Sequence, residues 1–331
     1  MISGKTIFIA PIDWGIGHAT RCAAIIRNLS VSNRVIIGVT PLNDFFFGEQ
    51  FPELQKIYIP SYNIQYSLWL PARCKVLMQW PRILRVIRDE GKSIAAIVRE
   101  HKVDVVISDN RFGLRDARAR NIFVTHQIRL LDSVIGVVPN KVNHYYINLF
   151  DEVWVPDYPD RSQRLSGSLC DSAGVKIPVT YVGPLSVFTK HEPLVHKKYD
   201  YLVLLSGVEP QRTRLENILL EKLGKTNLKV FIIRGSRQKL AKDTQLPVID
   251  FAYDRELSQL IGMTATVICR SGYSTLMDMH ALQHRDLLLI PTPGQPEQVY
   301  LARYWKEKFR ARVVEQADVK NFNFEKTLNS G

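Results

Sequence analysis

The sequence predicts an α/β protein built from two parallel β-sheets that are covered by helices. Short β-branched runs alternate with helical patterns along nearly the whole chain. Both halves begin alike, with a strand, a glycine-containing loop and an amphipathic helix, at residues 6–29 and again at 201–223. Between them, residues 181–193 hold a Gly-Pro pair and a second proline, which interrupt both periodicities. We therefore expect an N-terminal domain of residues 1–186 and a C-terminal domain of residues 187–331.

The strand candidates divide between these two halves. Helical spacing of apolar residues follows the first strand of each half, so each helix is expected to pack on its own sheet. In open parallel sheets, ligands bind beyond the carboxyl ends of the strands, and two such edges facing each other would form a deep cleft. The predicted strands span residues 6–10, 34–39, 103–108, 122–125 and 152–156, then 201–206, 229–234, 247–250, 266–270, 287–291 and 311–314.

Composition restricts the classes of partner. Lys and Arg number 44 against 32 Asp and Glu, a net charge of +12 that favours phosphates, nucleic acid or an anionic membrane surface. No motif for reading a nucleic-acid groove is present, so nucleic acid is not expected. The four cysteines are scattered, without metal-ligand spacing or a disulfide framework, which fits a reducing cytoplasm. No apolar run approaches the 18 residues of a membrane span, so we expect no crossing of a membrane.

The first glycine-containing loop holds a candidate base. Gly15 and Gly17 precede His18, but the third glycine of a dinucleotide fingerprint is absent. The glycines could serve only a tight turn. A helix N-terminus disfavours the imidazolium, which leaves a neutral imidazole at His18 able to accept a proton. A structural histidine is an equal alternative.

The start of the predicted helix after residue 270 is a candidate anion site. Backbone N–H groups, hydroxyls and a guanidinium are available there for a diphosphate, from Arg270, Ser271, Gly272, Ser274 and Thr275. Asp278 lies one turn further on the same face, where a carboxylate could accept both hydroxyls of a ribose. The alternative is that Ser274 and Thr275 only cap the helix and that Asp278 is solvated. Beyond the next strand, Gln295, Glu297 and Gln298 suit the hydroxyls of a sugar.

At these motifs the chain resembles glycosyltransferase family 28 of the GT-B class, which includes the N-acetylglucosaminyl transferase that forms lipid II. The family's first loop is matched by Gly15 to Thr20, and its ribose-binding signature by Arg270, Ser271, Gly272 and Thr275 followed by an acid at Asp278. Aspartate replaces the commoner glutamate there. The resemblance also places Ser206 and Gly207 near the diphosphate, Phe251 and Ala252 over the uracil, and residues 291–298 around the sugar.

The resemblance implies a GT-B fold, with two Rossmann-like domains whose parallel sheets face each other across a cleft. The N-terminal domain is then the acceptor side and the C-terminal domain binds the nucleotide sugar. It implies an inverting hexosyl or N-acetylhexosaminyl transferase of the EC 2.4 class, with a UDP-sugar as substrate and no cofactor. No D-x-D pair or metal-ligand cluster accompanies these loops, so the sequence favours stabilisation of the leaving group by a helix dipole and hydrogen bonds over a divalent metal ion. The expected sugar-donor residues are Ser206, Gly207, Arg212, Arg234, Phe251, Ala252, Arg270, Ser271, Gly272, Ser274, Thr275, Asp278, Gln295, Glu297 and Gln298.

On the acceptor side, His18 is expected to be the base, with Asp13 orienting it or contacting the acceptor. Asp13 as the base itself is the close rival. Further acceptor-side residues are Gly15, Gly17, Asp109, Asn110 and His126. The lipid II-forming enzyme carries His-Glu-Gln-Asn where this chain has His126 and Gln127 without the glutamate. The acceptor is therefore expected to differ from lipid I.

Residues 66–102 combine eight Lys and Arg against three acids with interleaved tryptophan, leucine and methionine. This pattern suits a helix lying on anionic lipid, peripheral on the inner face of a membrane, and a lipid-linked or cell-envelope acceptor. A basic helix packed on the sheet by its apolar face is the alternative. Two other functions stay open: a UDP-sugar 2-epimerase of the same fold, and a non-catalytic nucleotide-sugar-binding protein.

Overall fold

The computed structural model describes residues 2–62, 80–131, 138–188, 197–240 and 243–328. The described residues divide into two compact units, one formed by residues 2–62, 80–131 and 138–187 and the other by residues 188, 197–240 and 243–328. Each unit is built on one parallel sheet, and the two are described separately.

The N-terminal unit contains, among its described residues, a seven-stranded sheet in the order β3-β2-β1-β4-β5-β6-β7. All of its paired strands are parallel. The strand order reverses between β1 and β4, whose carboxyl ends pair Pro11 with Asp109. Such a reversal leaves a crevice where ligands bind. The strands are β1 Thr6–Pro11, β2 Arg34–Val39, β3 Gln55–Tyr58, β4 Val105–Asp109, β5 Arg120–Val124, β6 Glu152–Val155 and β7 Val179–Tyr181.

The helices of this unit pack on the sheet through their apolar faces. Ile94 and Val98 of the long third helix, α3, join a core with Phe8 of β1 and Val106 of β4. The helices are α1 Ile16–Leu29, α2 Asp44–Gln50, α3 Trp80–His101 and α4 Val138–Ile147, and a 3₁₀ turn covers Gly167–Cys170.

The C-terminal unit contains a six-stranded parallel sheet among its described residues, in the order β10-β9-β8-β11-β12-β13. Its core joins Val203 and Ile268 of the central strands to Leu219 and Phe324 on the covering helices. The strands are β8 Tyr199–Leu204, β9 Val230–Ile233, β10 Val248–Ile249, β11 Thr264–Cys269, β12 Leu287–Leu289 and β13 Arg312–Val313. The helices are α5 Gln211–Leu223, α6 Asp254–Gly262, α7 Tyr273–Ala281, α8 Pro296–Phe309 and α9 Phe324–Leu328, with a 3₁₀ turn at Val319–Asn321.

The predicted α/β architecture of two parallel sheets is confirmed, and every predicted strand overlaps an observed one. Two strands, β3 and β7, are additional. Both lie at sheet edges. Each has at most two consecutive buried or β-branched residues, so its sequence does not differ from that of a loop. Because β7 ends at Tyr181, the interruption predicted for residues 181–193 begins inside a strand.

Candidate functional site

The crevice between the ends of β1 and β4 holds the first group of candidate residues. The chain leaves β1 at Pro11 and enters α1 at Ile16, and Gly15 caps the helix with φ of 110°. A side chain at that φ would be strained, so glycine permits the sharp entry into the helix. His18 therefore lies in the first turn of α1, beside the end of β4, with 20% of its side chain exposed.

His18 contacts Asp109 of β4, which the sequence placed 91 residues away. The ring Nδ1 lies 3.1 Å from Oδ2 of the carboxylate. All ring contacts made with the described part of the chain use Nδ1, so Nε2 has no partner there. A carboxylate behind Nδ1 is the arrangement that leaves Nε2 available to exchange a proton with a substrate.

Asp109 is ionised although its side chain is completely buried. Burial alone would raise the pKa of its carboxyl group, but the positive charge of Arg21, followed by the contact with His18, outweighs that effect and lowers the pKa to about 2. Asp109 is among the predicted acceptor-side residues; no part of it reaches the surface, and it contacts His18 from the side opposite to solvent.

Arg21 and His126 complete this buried group. One terminal nitrogen of Arg21 donates to Oδ1 of Asp109, and the other lies 3.1 Å from Nδ1 of His126. His126 is buried behind the guanidinium, and its place among the acceptor-side residues stays a prediction. Asn110 is partly exposed, and its amide lies 3.3 Å from Oδ1 of Asp109. Arg21 was absent from the sequence prediction because a helical arginine ordinarily faces solvent.

Asp13 does not touch His18. Its carboxylate accepts a hydrogen bond from the hydroxyl of Ser61 and a long one, 3.4 Å, from the backbone N–H of Tyr62. The interpretation of Asp13 as the residue that orients His18 is therefore wrong, because the loop after β3 occupies it. Only 6% of Asp13 is exposed, and Trp14 beside it is the residue that reaches solvent.

A second buried ion pair holds the loop that covers Asp13. Glu90 of α3 bonds Nε of Arg111 at 2.7 Å and accepts the hydroxyl of Tyr62 at 2.8 Å. The same guanidinium donates to the carbonyl groups of Pro11 and Pro60, so it joins the ends of β1 and of the chain after β3. No periodicity marked this pair, since an acidic residue in a basic helix is ordinarily solvated. The position of Arg111, two residues beyond a strand end, was the available signal.

In the C-terminal unit, the start of α7 is open for an anion. The helix is capped by Gly272, and its first internal hydrogen bond runs from Leu276 N to Gly272 O at 3.1 Å. Ser274 and Thr275 thus stand inside the first turn, partly exposed, and the alternative that they cap the helix is wrong. The N–H groups of a first helical turn lack intrahelical acceptors and favour negative charge. Asp278 lies on the next turn and is also partly exposed.

Arg270 does not offer its guanidinium to a ligand. It is 1% exposed, and its terminal nitrogens donate to the carbonyl groups of Ile290, Pro291 and Gln211 and to the side-chain oxygen of Gln316. Burial lowers its pKa to about 10. The predicted anion contact of Arg270 is therefore wrong, because the backbone uses these donors to join the starts of α5 and α7 to the end of β12.

Ser271 and Gln298 are structural in the same way. The Ser271 hydroxyl donates to the carbonyl of Gln298 at 2.7 Å, and the Gln298 side chain bonds Thr292 N at 2.8 Å and Gln295 Oε1 at 2.6 Å. Both residues are buried, which corrects their prediction as ligand contacts. Gln295 and Glu297 remain partly exposed at the start of α8.

Arg212 and Arg234 are likewise buried and paired. Glu216 bonds both guanidinium groups, at 3.2 Å and 2.7 Å, while Glu209 and Asp250 each take one further nitrogen. Their charge is balanced by these acids, and their assignment to the sugar donor stays a prediction.

The glycine loop after β8 approaches the loop of residues 291–298. Gly207 is exposed with φ of 102°, and a Cβ there would stand 4.0 Å from Oγ1 of Thr292. Ser206 is partly exposed beside it. Further along the same edge, the ring of Phe251 stacks on Tyr253 with centroids 5.9 Å apart, and Ala252, between them in the sequence, is buried. Tyr253 was absent from the sequence prediction.

The helix α3 settles one alternative for the basic segment. Its apolar side packs in the core through Ile83, Val86, Ile94, Ile97 and Val98, so the prediction of a basic helix packed on the sheet is correct for residues 80–101. Residues 66–79 lie outside the described part of the chain. The outer side of α3 is a cationic stripe, formed by the exposed Arg82, Arg85, Arg88, Lys92 and Arg99.

Among the described residues, none of the helices combines the length and the apolar composition that a membrane span requires. No group of three or more His, Cys, Asp or Glu side chains in the same ranges could hold a metal ion.

Comparison with known proteins identifies several relatives. The profile of the glycosyltransferase family 28 C-terminal domain matches residues 204–330. A processive diacylglycerol beta-glucosyltransferase of Bacillus cereus is 22% identical over 348 residues, covering 95% of this chain and 83% of that protein. Arabidopsis thaliana UGT89C1 complexed with UDP-L-rhamnose superposes with a TM-score of 0.59 at 12% identity, covering 99% of this chain and 93% of that one. A spinosyn rhamnosyltransferase complexed with thymidine diphosphate superposes with a TM-score of 0.57 at 12% identity, covering 98% of this chain and 92% of that one.

Proposed function

Because the chain is a family 28-like glycosyltransferase with the GT-B fold, we propose that it transfers a hexosyl or N-acetylhexosaminyl group from a nucleotide sugar to an acceptor hydroxyl, with inversion. The observation that carries the mechanism is the His18–Asp109 pair at the point where the strand order of the N-terminal sheet reverses. It supplies a base with an available nitrogen, which a protein that only binds nucleotide sugars does not need.

In this mechanism Nε2 of His18 accepts the proton of the acceptor hydroxyl. The acceptor oxygen forms its bond to the anomeric carbon as the bond from that carbon to the nucleotide diphosphate breaks. The ring then carries a positive charge, which the ionised carboxylate of Asp109 stabilises at Nδ1. We propose that Asp13, which accepts hydrogen bonds from Ser61 and Tyr62, contacts the acceptor's remaining polar groups and does not take its proton.

The departing diphosphate is proposed to lie at the start of α7. The negative charge that develops on it meets the first-turn N–H groups and the hydroxyls of Ser274 and Thr275, with Ser206 and Gly207 at the neighbouring loop. This charge stabilisation requires no metal ion. Asp278 is proposed to hold the ribose, and Gln295 and Glu297 the sugar.

A uridine nucleotide is the proposed substrate. The stacked rings of Phe251 and Tyr253 give one edge of the C-terminal sheet a flat apolar surface suited to a base. Support for UDP comes from the plant structure that holds UDP-L-rhamnose, while the spinosyn enzyme holds thymidine diphosphate. A flat apolar surface suits uracil and thymine equally, so the identity of the base must be tested directly.

The proposed acceptor is a lipid-linked hydroxyl at the cytoplasmic face of a membrane. The relative named as a diacylglycerol glucosyltransferase covers most of this chain, and its name supports a lipid acceptor. The stripe on α3 supports the same proposal, since five exposed cations along one helix face attract anionic lipid at about 1 kcal/mol each.

A direct test begins with the nucleotide. Thermal melting with UDP, GDP, dTDP and CMP sugars should show the largest rise for a UDP-sugar, because ligands that bind only the folded state stabilise it. That sugar is then incubated with the protein and vesicles containing diacylglycerol, and UDP and glycolipid are quantified. UDP and a β-linked glycoside should form together. An isomerised sugar formed without vesicles would instead identify an epimerase, and binding without any product a non-catalytic protein.

A further inference from the structure

Arg21 is buried beneath His18 in the candidate site, and the mechanism proposed above gives it no role. It is 1% exposed, and its Nε has no hydrogen-bond partner among the described residues. A buried arginine with an unsatisfied nitrogen is costly, so its terminal nitrogens must contribute something that a smaller apolar residue could not. Those nitrogens contact three titratable side chains: Asp109, His18 and His126.

The contacts limit where the protons can be. A guanidinium only donates, so Nδ1 of His126, 3.1 Å from Arg21, must be unprotonated and accept. Nδ1 of His18 has two competing neighbours, the Arg21 nitrogen at 2.8 Å and Oδ2 of Asp109 at 3.1 Å. It can accept from the first or donate to the second, and only the second choice leaves the lone pair on Nε2.

The hydrogen-bond donors available to each oxygen of Asp109 discriminate between these two positions of the proton. Oδ1 of Asp109 already receives Arg21 and the amide of Asn110. Oδ2 has two neighbours that could donate, Nδ1 of His18 and the thiol of Cys22 at 3.6 Å. A thiol is a weak donor, so an ionised oxygen buried without the His18 proton would be poorly satisfied. The proton is therefore favoured on Nδ1, and the Arg21 nitrogen 2.8 Å away then directs its hydrogens to Oδ1 of Asp109 and not to the His18 ring.

We propose that Arg21 is a positioning residue that controls the ring of His18. Its guanidinium, anchored by His126, cancels the charge of Asp109 and turns that carboxylate so that it holds the Nδ1 proton of a neutral imidazole, which leaves Nε2 as the basic nitrogen. The catalytic meaning of this arrangement rests on the proposed function of His18. The arrangement itself does not, because it is defined in the absence of any substrate.

The charge balance explains why an arginine is needed. With Arg21 present, the guanidinium and the Asp109 carboxylate sum to zero, and the imidazole of His18 completes a neutral group. Without it, a buried carboxylate would face His18 uncompensated, and the ring would take up a proton to replace the missing cation. An imidazolium cannot act as a base, so loss of Arg21 disables a residue that remains in place.

The test is ¹⁵N NMR of the full-length protein labelled at histidine, recorded at neutral pH, with His18→Ala used to assign the signals. The wild-type ring should show a protonated Nδ1 and an unprotonated Nε2. Arg21→Met should give the spectrum of an imidazolium, and Arg21→Lys, which restores the charge, should return a neutral ring. A wild-type ring protonated on Nε2, or no change in Arg21→Met, would overturn the proposal.

The anchor is tested by a matched pair at His126. His126→Asn keeps an acceptor for Arg21 and should retain the wild-type signals, whereas His126→Leu removes it and should shift them. Should Arg21→Met fail to fold, Arg21→Lys and this pair still decide the matter. In the transfer assay, we expect Arg21→Met to lower kcat about tenfold or more with an unchanged KM for the sugar donor, and Arg21→Lys to regain most of the lost kcat. Altered spectra with full transfer activity would retain the positioning and reject His18 as the base, which separates the two failures.

Discussion

The hydroxyl of Ser271, at the start of α7, donates to the backbone carbonyl of Gln298 in α8 at a distance of 2.7 Å. Two motifs that resemble ligand-binding signatures are thus bonded to each other. Ser271, Gln298 and Arg270 are buried and hold the two motifs in place. The residues of these motifs that remain partly exposed, and so accessible to a ligand, are Thr275, Asp278, Gln295 and Glu297.

Replacement of Arg270 should therefore affect stability more than binding. Arg270→Lys keeps the charge but cannot reach all four oxygen acceptors, and we expect the free energy of unfolding to fall by about 2 kcal/mol. Thr275→Val, the matched control at the exposed first turn, should keep the stability and weaken UDP binding about fivefold. Urea denaturation and calorimetric titration measure the two effects. The reverse pattern would return Arg270 to the ligand site.

Loss of His18 should abolish transfer without loss of nucleotide binding. His18→Ala removes the proposed base, and we expect kcat to fall about 10²- to 10⁴-fold with the UDP dissociation constant unchanged. Asp13→Asn preserves the shape: its side-chain oxygen can still accept from the backbone N–H of Tyr62, and its amide nitrogen can donate to the hydroxyl of Ser61. It should change the KM of the acceptor more than kcat. A loss of kcat in Asp13→Asn equal to that in His18→Ala would make Asp13 the base.

The contribution of Asp109 to stability should depend on pH. Burial acts to raise the pKa of the Asp109 carboxyl group, but Arg21 and His18 outweigh burial and lower the pKa from an ordinary value of 3.8 to about 2. A depressed carboxyl pKa stabilises the fold above the unfolded value, here by about 2 kcal/mol, and the contribution disappears as the pH falls from about 4 towards 2. Unfolding free energies of wild type and Asp109→Asn, measured by urea at several pH values, should converge over that window. A difference that stays constant down to pH 2 would contradict the ion pair.

Charge reversal on α3 should weaken membrane binding. The triple variant Arg85→Glu, Arg88→Glu and Lys92→Glu changes exposed positions whose helix is held by the opposite face. We expect association with anionic vesicles at low salt to fall by more than a factor of 100, since each cation contributes about 1 kcal/mol. Lys225→Glu, Lys306→Glu and Lys320→Glu give the same net charge from exposed positions of the C-terminal unit. Equal loss in both triple variants would indicate attraction by net charge alone.

The fold was largely predictable because buried parallel strands leave a local mark in the sequence. β1 and β11 are β-branched runs next to helical patterns, whereas β3, at an edge and half exposed, carries no such mark. The positions of candidate residues at strand ends were also predictable. Their roles were not, because nothing in the spacing tells whether a side chain such as Arg270 points outward or back under the loop.

The His18–Asp109 contact lay between these extremes. Its partners are 91 residues apart, but parallel pairing of β1 with β4 brings Pro11 beside Asp109, and the loop from Pro11 leads to His18. Knowledge of the strand order would have predicted it. The order itself depends on packing across the whole sheet, which one sequence does not reveal.

The pairing of Glu90 with Arg111 has a mechanical consequence. Separating these fully buried charges would cost about 3–5 kcal/mol, several times the thermal energy of about 0.6 kcal/mol. Because Glu90 belongs to α3 and Arg111 also bonds the carbonyl groups of Pro11 and Pro60, the outer helix and the loop beside Asp13 move as one rigid piece. When α3 lies on a surface, the distance between that surface and the loop beside Asp13 is therefore fixed.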